Sequence, residues 1–262
     1  MAHLSDFVNL AAHPLDDVAY IADKKAQLDR DRVVCLHDFI SQDGLQKMID
    51  AAMHSQHLAY FTNSTHNVYL TPPDTSLPET HIFNRQITSS KGCITTDQVS
   101  DESGLPLIYH DEQFQNFIAQ IVAEQAIYPY ADPLSAINIH YASEGQELGW
   151  HFDNSSFAVT LLLQAPEAGG IFEYCPDLRD ADRGEMNFEG VEAVIDGTVT
   201  PQICNIAPGT LVLFRGRNSM HRVTPTIGNR TRFLVVFAYN NAPDIALSET
   251  ARMTFYGRLG TE

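Results

Sequence analysis

The sequence predicts a mainly β protein with flanking helices, in the α+β class. Between about residues 135 and 240, short apolar runs rich in β-branched and aromatic residues follow one another, which is typical of strands. The helical part, about residues 1–130, instead holds segments whose apolar residues recur at helical spacing. A chain of 262 residues can bury one substantial core, and we see no internal repeat, so we expect one domain over residues 1–262.

Three helices are expected in the N-terminal part. The first covers residues 14–30, with Pro14 near its first position and acidic residues in its first turn. The second covers residues 41–58, and a capping serine begins it ahead of an apolar face. The third covers residues 111–125, where two phenylalanines and three β-branched residues form the apolar face.

Two strands and a loop complete the N-terminal part. Residues 32–36 and 81–87 are predicted to be strands because they are short and rich in β-forming residues. Residues 62–80 are rich in Thr, Asn, Ser and Pro. That composition predicts a long loop near the site, or a flexible lid over it.

The β core is expected over about residues 135–240. In its first strand, Ile137, Ile139 and Tyr141 alternate with polar residues, as a strand with one apolar face requires. Besides the two strands that carry the motif described next, further core strands are expected at residues 159–163, 171–174, 210–214 and 233–239. A polar insertion at about residues 177–200, containing a short helix, is expected to cover the mouth of the site.

His151 and Asp153 lie two residues apart in a segment that its flanks indicate to be a strand. Alternate residues of a strand point to one face, so both side chains can reach one ion, with Phe152 on the opposite side. His221 lies in a second strand-like segment, which ends at Pro225, and is the candidate third ligand. Two imidazoles and one carboxylate are the ligand set of a non-haem ferrous ion with three coordination positions open.

Two arginines follow His221 and lead directly into the last long strand. Arg230 and Arg232 stand at +9 and +11 and share strand parity, so both could face the interior. An arginine that enters a buried strand needs an anion, and a carboxylate suits its planar guanidinium. We expect one of the two to bind the carboxylate of an acidic cosubstrate. An internal acidic residue or solvent could serve either of them instead, and the sequence does not distinguish the two.

This set of residues resembles the Fe(II)/2-oxoglutarate-dependent dioxygenase superfamily. The matching residues are His151, Asp153, His221 and Arg230, the last at a spacing seen in several branches. Tyr141, ten residues before His151, matches a tyrosine that lies near the 2-oxoglutarate pocket in the prolyl-hydroxylase-like branch. The runs at residues 169–174 and 221–225 look like a bacterial subgroup that is similar to amino-acid hydroxylases and related radical halogenases. The resemblance covers roughly residues 80–240.

The resemblance implies a double-stranded β-helix core that uses Fe(II), 2-oxoglutarate and O2. The three metal ligands would be His151, Asp153 and His221, and Arg230 or Arg232, helped by Tyr141, would bind the distal carboxylate of 2-oxoglutarate. In the related halogenases, a small residue replaces the carboxylate ligand and leaves room for chloride on iron. Because Asp153 is present here, the resemblance implies hydroxylation rather than halogenation.

The substrate is harder to predict. A small molecule, a free amino acid being one candidate, is the first hypothesis, with Arg85 as the candidate anchor of a substrate carboxylate and a surface or structural arginine as its alternative. A prolyl-type hydroxylase of peptides is the second. Two imidazoles and a carboxylate also suit zinc, so a zinc hydrolase or a metal-stabilised binding module is the third. A degenerate β-helix protein that only binds a partner is the fourth.

Charge and composition narrow the class of protein. The net charge of −17 repels phosphate backbones and anionic lipids, which argues against action on nucleic acids or at a membrane surface. The chain has no apolar run long enough for a transmembrane helix, and its N-terminus does not resemble a signal peptide. The four cysteines are scattered without a C-x-x-C pair, as reduced thiols in a cytoplasmic protein would be.

Overall fold

Within residues 2–260, four α-helices lie ahead of residue 135 in the chain, and two follow it. The computed structural model describes residues 2–260. Within them, the α-helices are α1 (Val18–Asp31), α2 (Gln42–Ser55), α3 (Leu105–His110), α4 (Glu112–Val122), α5 (Phe188–Ile195) and α6 (Glu249–Tyr256). Side chains of Asp17, Ser41 and Asp111 accept backbone N–H groups in the first turns of α1, α2 and α4, which explains where these helices begin.

The strands pair antiparallel throughout. They are β1 (Val33–Leu36), β2 (Tyr60–His66), β3 (Ile87–Ile94), β4 (Tyr128–Pro129), β5 (Ile137–Ala142), β6 (Leu148–His151), β7 (Ala158–Gln164), β8 (Ala168–Gly169), β9 (Phe172–Cys175), β10 (Gln202–Cys204), β11 (Leu211–Phe214), β12 (Met220–Val223), β13 (Thr226–Ile227), β14 (Arg232–Phe237) and β15 (Tyr239–Asn240). Eleven of them form one sheet in the order β1-β11-β7-β14-β5-β3-β6-β12-β9-β10, with β2 paired to β3. The sheet curls into a nearly closed barrel with helices beside it, so the predicted fold class and β-helix core are confirmed.

The two faces of the barrel wall contact different parts of the protein. On β14, Phe233, Val235 and Phe237 enter the main hydrophobic core together with side chains of α2, α3 and α4. The alternate residues of β14 line an internal cavity instead. Strand parity therefore decides, at each position, whether a side chain packs against the helices or faces the cavity.

Most predicted helices are confirmed, with shorter bounds. The first begins at Val18 because Asp17 caps it, and the third ends at Val122 because Ala123 adopts a left-handed conformation. The second ends at Ser55 and continues as a short 3-10 turn. The helix predicted inside the insertion at about residues 177–200 is α5. The structure adds α3 and α6, which the sequence pattern did not predict.

Two predictions in the N-terminal part are wrong. The predicted strand at residues 81–87 is a run of turns, and β3 begins only at Ile87. The first part of the predicted loop at residues 62–80 belongs to β2, which pairs with β3 over its whole length. The polar residues of β2 are held in a strand by this pairing and not by burial, since most of them are exposed.

The structure describes no helix, over residues 2–260, that is both long and apolar enough to span a membrane. All four cysteines are free thiols in this part of the chain, so no disulfide crosslinks the described fold.

Candidate metal centre and its cavity

An internal cavity of about 350 Å³ opens beside β6 and β12. Its walls are mostly apolar and come from β2, β3, β5, β7, β9, β11 and β14. Thr254 and Phe255 of α6 also line it, and α6 is followed by Arg258, whose guanidinium donates to both carboxylate oxygens of Asp97 at 2.6 and 2.7 Å. The barrel and the C-terminal helix together enclose the space that the proposed metal ligands face.

The three proposed ligands meet at one side of this cavity. His151 ends β6, and His221 on β12 is its register partner, so backbone pairing places the two imidazoles side by side. Nε2 of His151 and Nε2 of His221 lie 3.6 and 3.5 Å from Oδ1 of Asp153. The candidate ligand atoms all lie within 4.8 Å of one another, close enough to share one ion. Phe152 points the other way and stacks on Tyr69, as strand parity predicts.

The hydrogen bonds of the two histidines determine which ring nitrogen of each is free to bind an ion. Nδ1 of His151 donates to the carbonyl of Gly149 at 2.8 Å, and Nδ1 of His221 donates to the carbonyl of Ser219 at 3.0 Å. A histidine that donates from Nδ1 keeps a lone pair on Nε2, which is the usual arrangement of a metal ligand. Burial, and then the neighbouring His221, lower the pKa of His151 and favour its neutral, ligating form.

Asp153 is held in place from its backbone while its carboxylate stays free. Its N–H donates to the carbonyl of Gly216 at 3.1 Å, and its Oδ2 atom is buried without a hydrogen-bond partner. A Cβ atom at Gly216 would stand 1.9 Å from that oxygen, so only glycine leaves room for it. Burial alone would raise the pKa of Asp153, but the two histidines outweigh it and lower the pKa, so the group is a carboxylate. An unpaired buried carboxylate between two imidazole lone pairs fits a divalent transition metal.

The structure separates the two candidate arginines. Arg232, the first residue of β14, is 6 % exposed, lines the cavity, and has no hydrogen-bond partner at Nε. Burial lowers the pKa of Arg232 to about 10, which still leaves it charged at neutral pH. Arg230 lies before the strand, is exposed, and donates to the carbonyl of Pro166 at 2.9 Å. Of the two candidates, only Arg232 can meet an anion in the cavity.

Tyr141 does not reach the cavity. It is fully buried among the helices, and its hydroxyl donates to the carbonyl of Ala52 at 2.8 Å. The expected contact with a cosubstrate is therefore corrected. The cavity is instead lined by His140, its neighbour on β5, because adjacent strand residues face opposite sides.

Arg85 also lies away from the cavity. It sits in the turn region before β3 and pairs with Asp196 at a distance of 2.6 Å, with both side chains more than a third exposed. It is a surface arginine, so the expected substrate contact is corrected in favour of the structural alternative. The polar residues that do line the cavity and were not predicted are Thr62, Ser64, His66, Ser89, Lys91, His140, Thr160 and Thr254.

The missed residues on β2 and β3 carried a usable signal. Thr62, Ser64 and His66 alternate along β2, and Ser89 and Lys91 alternate along β3, each at the period of a strand. Both segments contain few large apolar residues. The hydrophobic pattern that identifies most strands was therefore absent, and only their polar alternation pointed to a lined interior.

Comparison with known proteins adds a family and a fold. A family model described as Halogenase D matches residues 17–255 of the chain. No curated protein sequence gives a significant match. Among solved structures, a 2OG-Fe(II) oxygenase family oxidoreductase from Burkholderia pseudomallei is 14% identical, with a TM-score of 0.54, covering 86% of this chain and 92% of the other. AviO1 from Streptomyces viridochromogenes Tue57 is 16% identical, with a TM-score of 0.53, covering 86% and 98%.

A third similar protein has two solved structures, one of them with ligands. The epimerase SnoN of nogalamycin biosynthesis, described as non-heme and alpha ketoglutarate dependent, has a TM-score of 0.59 at 12% identity, covering 85% of this chain and 84% of its own. A second structure of SnoN is in complex with Fe3+, alpha ketoglutarate and nogalamycin RO. At these identities the likeness shows a shared fold, the one used by 2OG-Fe(II) oxygenases.

Proposed function

The chain belongs to the Halogenase D family, and we propose that it is an Fe(II)- and 2-oxoglutarate-dependent dioxygenase. We propose further that it hydroxylates an unactivated C–H bond of a small molecule. One observation carries the proposal. A three-residue metal site and an arginine without an internal anion face the same cavity. The Fe3+ and alpha ketoglutarate held by a protein of the same fold support it.

His151, Asp153 and His221 would hold one face of the ferrous ion, leaving the opposite face to ligands. Arg232 would pair with the distal carboxylate of 2-oxoglutarate, because the guanidinium is buried and still lacks a hydrogen-bond partner at Nε. When bound, the ion together with 2-oxoglutarate and O2 supplies the oxidant for C–H cleavage: one oxygen atom enters the new hydroxyl group, and the other enters succinate as CO2 leaves. The apolar walls exclude water from this chemistry.

Asp153 supports hydroxylation within a family named for halogenation. Its carboxylate lies 3.5 Å from one imidazole and 3.6 Å from the other, so it would serve as the third protein ligand in the place that a halide would need. Gly216 leaves space for that carboxylate, since a side chain there would collide with Oδ2. The second candidate, a zinc hydrolase, gives Arg232 no role. A cavity of about 350 Å³ walled by the barrel and α6 favours a small molecule over a peptide.

The first test is spectroscopic. Anaerobic protein mixed with Fe(II) and 2-oxoglutarate is expected to show a weak visible metal-to-ligand charge-transfer band, and His151→Ala is expected to abolish it. His57→Ala is the matched control, since His57 is exposed on the surface and its hydrogen bond goes to the backbone carbonyl of His54. Absence of the band in folded wild-type protein, or its persistence in His151→Ala, would contradict the assignment.

A further inference from the structure

Two cationic side chains flank one alanine on the cavity wall. The strands β3, β5 and β14 are neighbours in the sheet, and Arg232 on β14 is the register partner of Ala142 on β5. Gly92 on β3 pairs with Tyr141, so the same register places Lys91 opposite Ala142 from the other side. Lys91 and Arg232 are therefore about 10 Å apart at their Cα atoms, two strand spacings, with Ala142 between them in the register.

Neither cation has an acidic partner. Among residues 2–260, neither Lys91 nor Arg232 forms an ion pair. The ammonium group of Lys91 lies 3.2 Å from the ring nitrogens of His140. Burial, and then the charges of Lys91 and Arg232, lower the pKa of His140 well below its usual value, so this imidazole is neutral. A neutral imidazole can accept one hydrogen bond from an ammonium group but cannot balance its charge.

The cavity carries an excess of positive charge once its proposed ligands are counted. In the described chain, Asp153 is the one acidic residue that lines the cavity, and it is a proposed metal ligand. When both are protonated, Lys91 and Arg232 outweigh this carboxylate by one charge. Burial lowers the pKa of Lys91, and the nearby Asp153 acts against that lowering. An anion bound beside the ammonium group would further favour its charged form. A ferrous ion adds two positive charges, and 2-oxoglutarate brings two negative ones, so the excess of one remains. An unbalanced charge in a mostly apolar cavity is unfavourable, and one more anion would remove it.

Hydroxyl groups near Lys91 favour an anion on its side of the cavity. Thr62 on β2 is the register partner of Lys91, and both Thr62 and Ser64 line the cavity. On the side of Arg232, the next cavity-lining residues of β14 are Leu234 and Val236. The cavity-lining neighbours of Arg232 on its own strand are therefore apolar, while hydroxyl groups of β2 lie on the side of Lys91. The hydroxyl of Thr62 donates to the backbone carbonyl of Lys91 at 3.5 Å.

Resting on the proposed function, we propose that the substrate is an apolar molecule that carries one carboxylate, or a comparable anionic group, and no positive charge, with Lys91 as its anchor. The rest of the substrate would contact apolar side chains such as Leu148, Phe172, Val212 and Phe214. An ammonium group would find no free acid on the described cavity wall. This replaces the earlier candidate, a free amino acid, with carboxylic acids that lack a charged amine.

The test compares six-carbon ligands that carry different charged or neutral end groups. Binding of hexanoate, hexanamide, hexylamine and norleucine to the anaerobic Fe(II)–2-oxoglutarate complex is measured by calorimetry and by the shift of the charge-transfer band. Hexanoate is expected to bind at least tenfold more tightly than the other three. Lys91→Met is expected to remove this preference, and Lys91→Arg is expected to keep most of it. Lys47→Met is the control, because Lys47 is exposed on α2.

The same variants separate this proposal from the proposed function. Lys91→Met is expected to change the Kd of 2-oxoglutarate by less than about threefold, whereas loss of Arg232 is expected to raise that Kd strongly. The proposal is overturned if an amine-bearing ligand binds more tightly than hexanoate, or if none of the four ligands binds. It is also overturned if Lys91→Met weakens the binding of 2-oxoglutarate as much as loss of Arg232 does. Failure of wild-type protein to bind 2-oxoglutarate at all would instead overturn the proposed function. A thermal melt of each variant verifies that it is folded.

Discussion

Arg230 and Arg232 show how two residues of the same type and parity come to differ. β14 begins at Arg232, so the strand geometry that turns this side chain inward does not extend to Arg230. Arg230 lies in the bend before the strand, where its guanidinium reaches the carbonyl of Pro166. Spacing in the sequence cannot distinguish the two arginines. The backbone at Arg232 is paired with the neighbouring strand, and the backbone at Arg230 is still in the bend before it.

This difference gives a matched pair of substitutions. Arg232→Met is expected to raise the Kd of 2-oxoglutarate about 100-fold, because the distal carboxylate would lose a buried, charged hydrogen-bond partner. Arg230→Met is expected to leave that Kd within about twofold, since the exposed guanidinium only meets a backbone carbonyl. Titration of the charge-transfer band measures both constants. Equal effects of the two substitutions would count against the role proposed for Arg232.

The metal site was predictable from single residues, and the cosubstrate side was not. The His-x-Asp pair and the later histidine needed only strand parity and a known ligand set, and the structure brings all three together. Tyr141 was placed by resemblance, and the structure puts it on the helix-packed face. The alternation within its strand favours His140 as the polar residue facing the interior, since Ile137, Ile139 and Tyr141 form one apolar face.

At the scale of elements, the contact between β6 and β3 controls the position of the first metal ligand. The N–H of Gly149 on β6 donates to the hydroxyl oxygen of Ser89 on β3 at 2.9 Å. A Cβ atom at Gly149 would stand 2.3 Å from the carbonyl oxygen of Thr88, which is backbone and cannot swing away. The carbonyl of Gly149 also orients His151. The close approach of these two strands therefore requires a glycine.

Gly149→Ala is expected to push β6 away from β3. The overpacking should destabilise the protein by about 2 kcal/mol and weaken Fe(II) binding about tenfold or more, through the misplaced partner of His151. Gly145→Ala is the control: its positive φ of 75° makes alanine strained, but nothing lies within 4 Å of the added Cβ. Thermal melts of the metal-free proteins and Fe(II) titrations separate the two effects. An unchanged Fe(II) affinity in Gly149→Ala would show that β6 does not need this approach.

Elements with a clear apolar pattern were predictable, and those held by pairing alone were not. The face of α4 contains Phe114, Phe117 and Ile118, and this helix was predicted with an error of a few residues at its end. β2 has mostly exposed polar residues and exists because β3 supplies its hydrogen bonds. Residues 81–87 contain β-forming side chains, yet their backbone turns, since Asn84 donates to and accepts from the backbone of residues 74–78.

At the scale of the whole molecule, the net charge of −17 creates a long-range field that attracts cations. The association rate of Fe(II) with the metal-free protein is therefore expected to fall with ionic strength, by roughly tenfold between about 0.01 and 0.5 M salt, because salt screens this field. Stopped-flow mixing in the presence of 2-oxoglutarate measures the rate, and melts at each salt concentration serve as the control. A rate that does not change with salt would mean that the acidic surface has no part in metal capture.

One wall of the cavity is not part of the barrel. Phe255 belongs to α6, and the chain just beyond this helix is tied to the rest of the protein by the two hydrogen bonds between Arg258 and Asp97. Tyr256 adds a hydrogen bond of 3.0 Å to Asn138 on β5. We expect that a ligand entering on this side would have to displace α6 from the barrel. Weakening the contacts of Arg258 with Asp97 would then speed its entry and admit larger ligands.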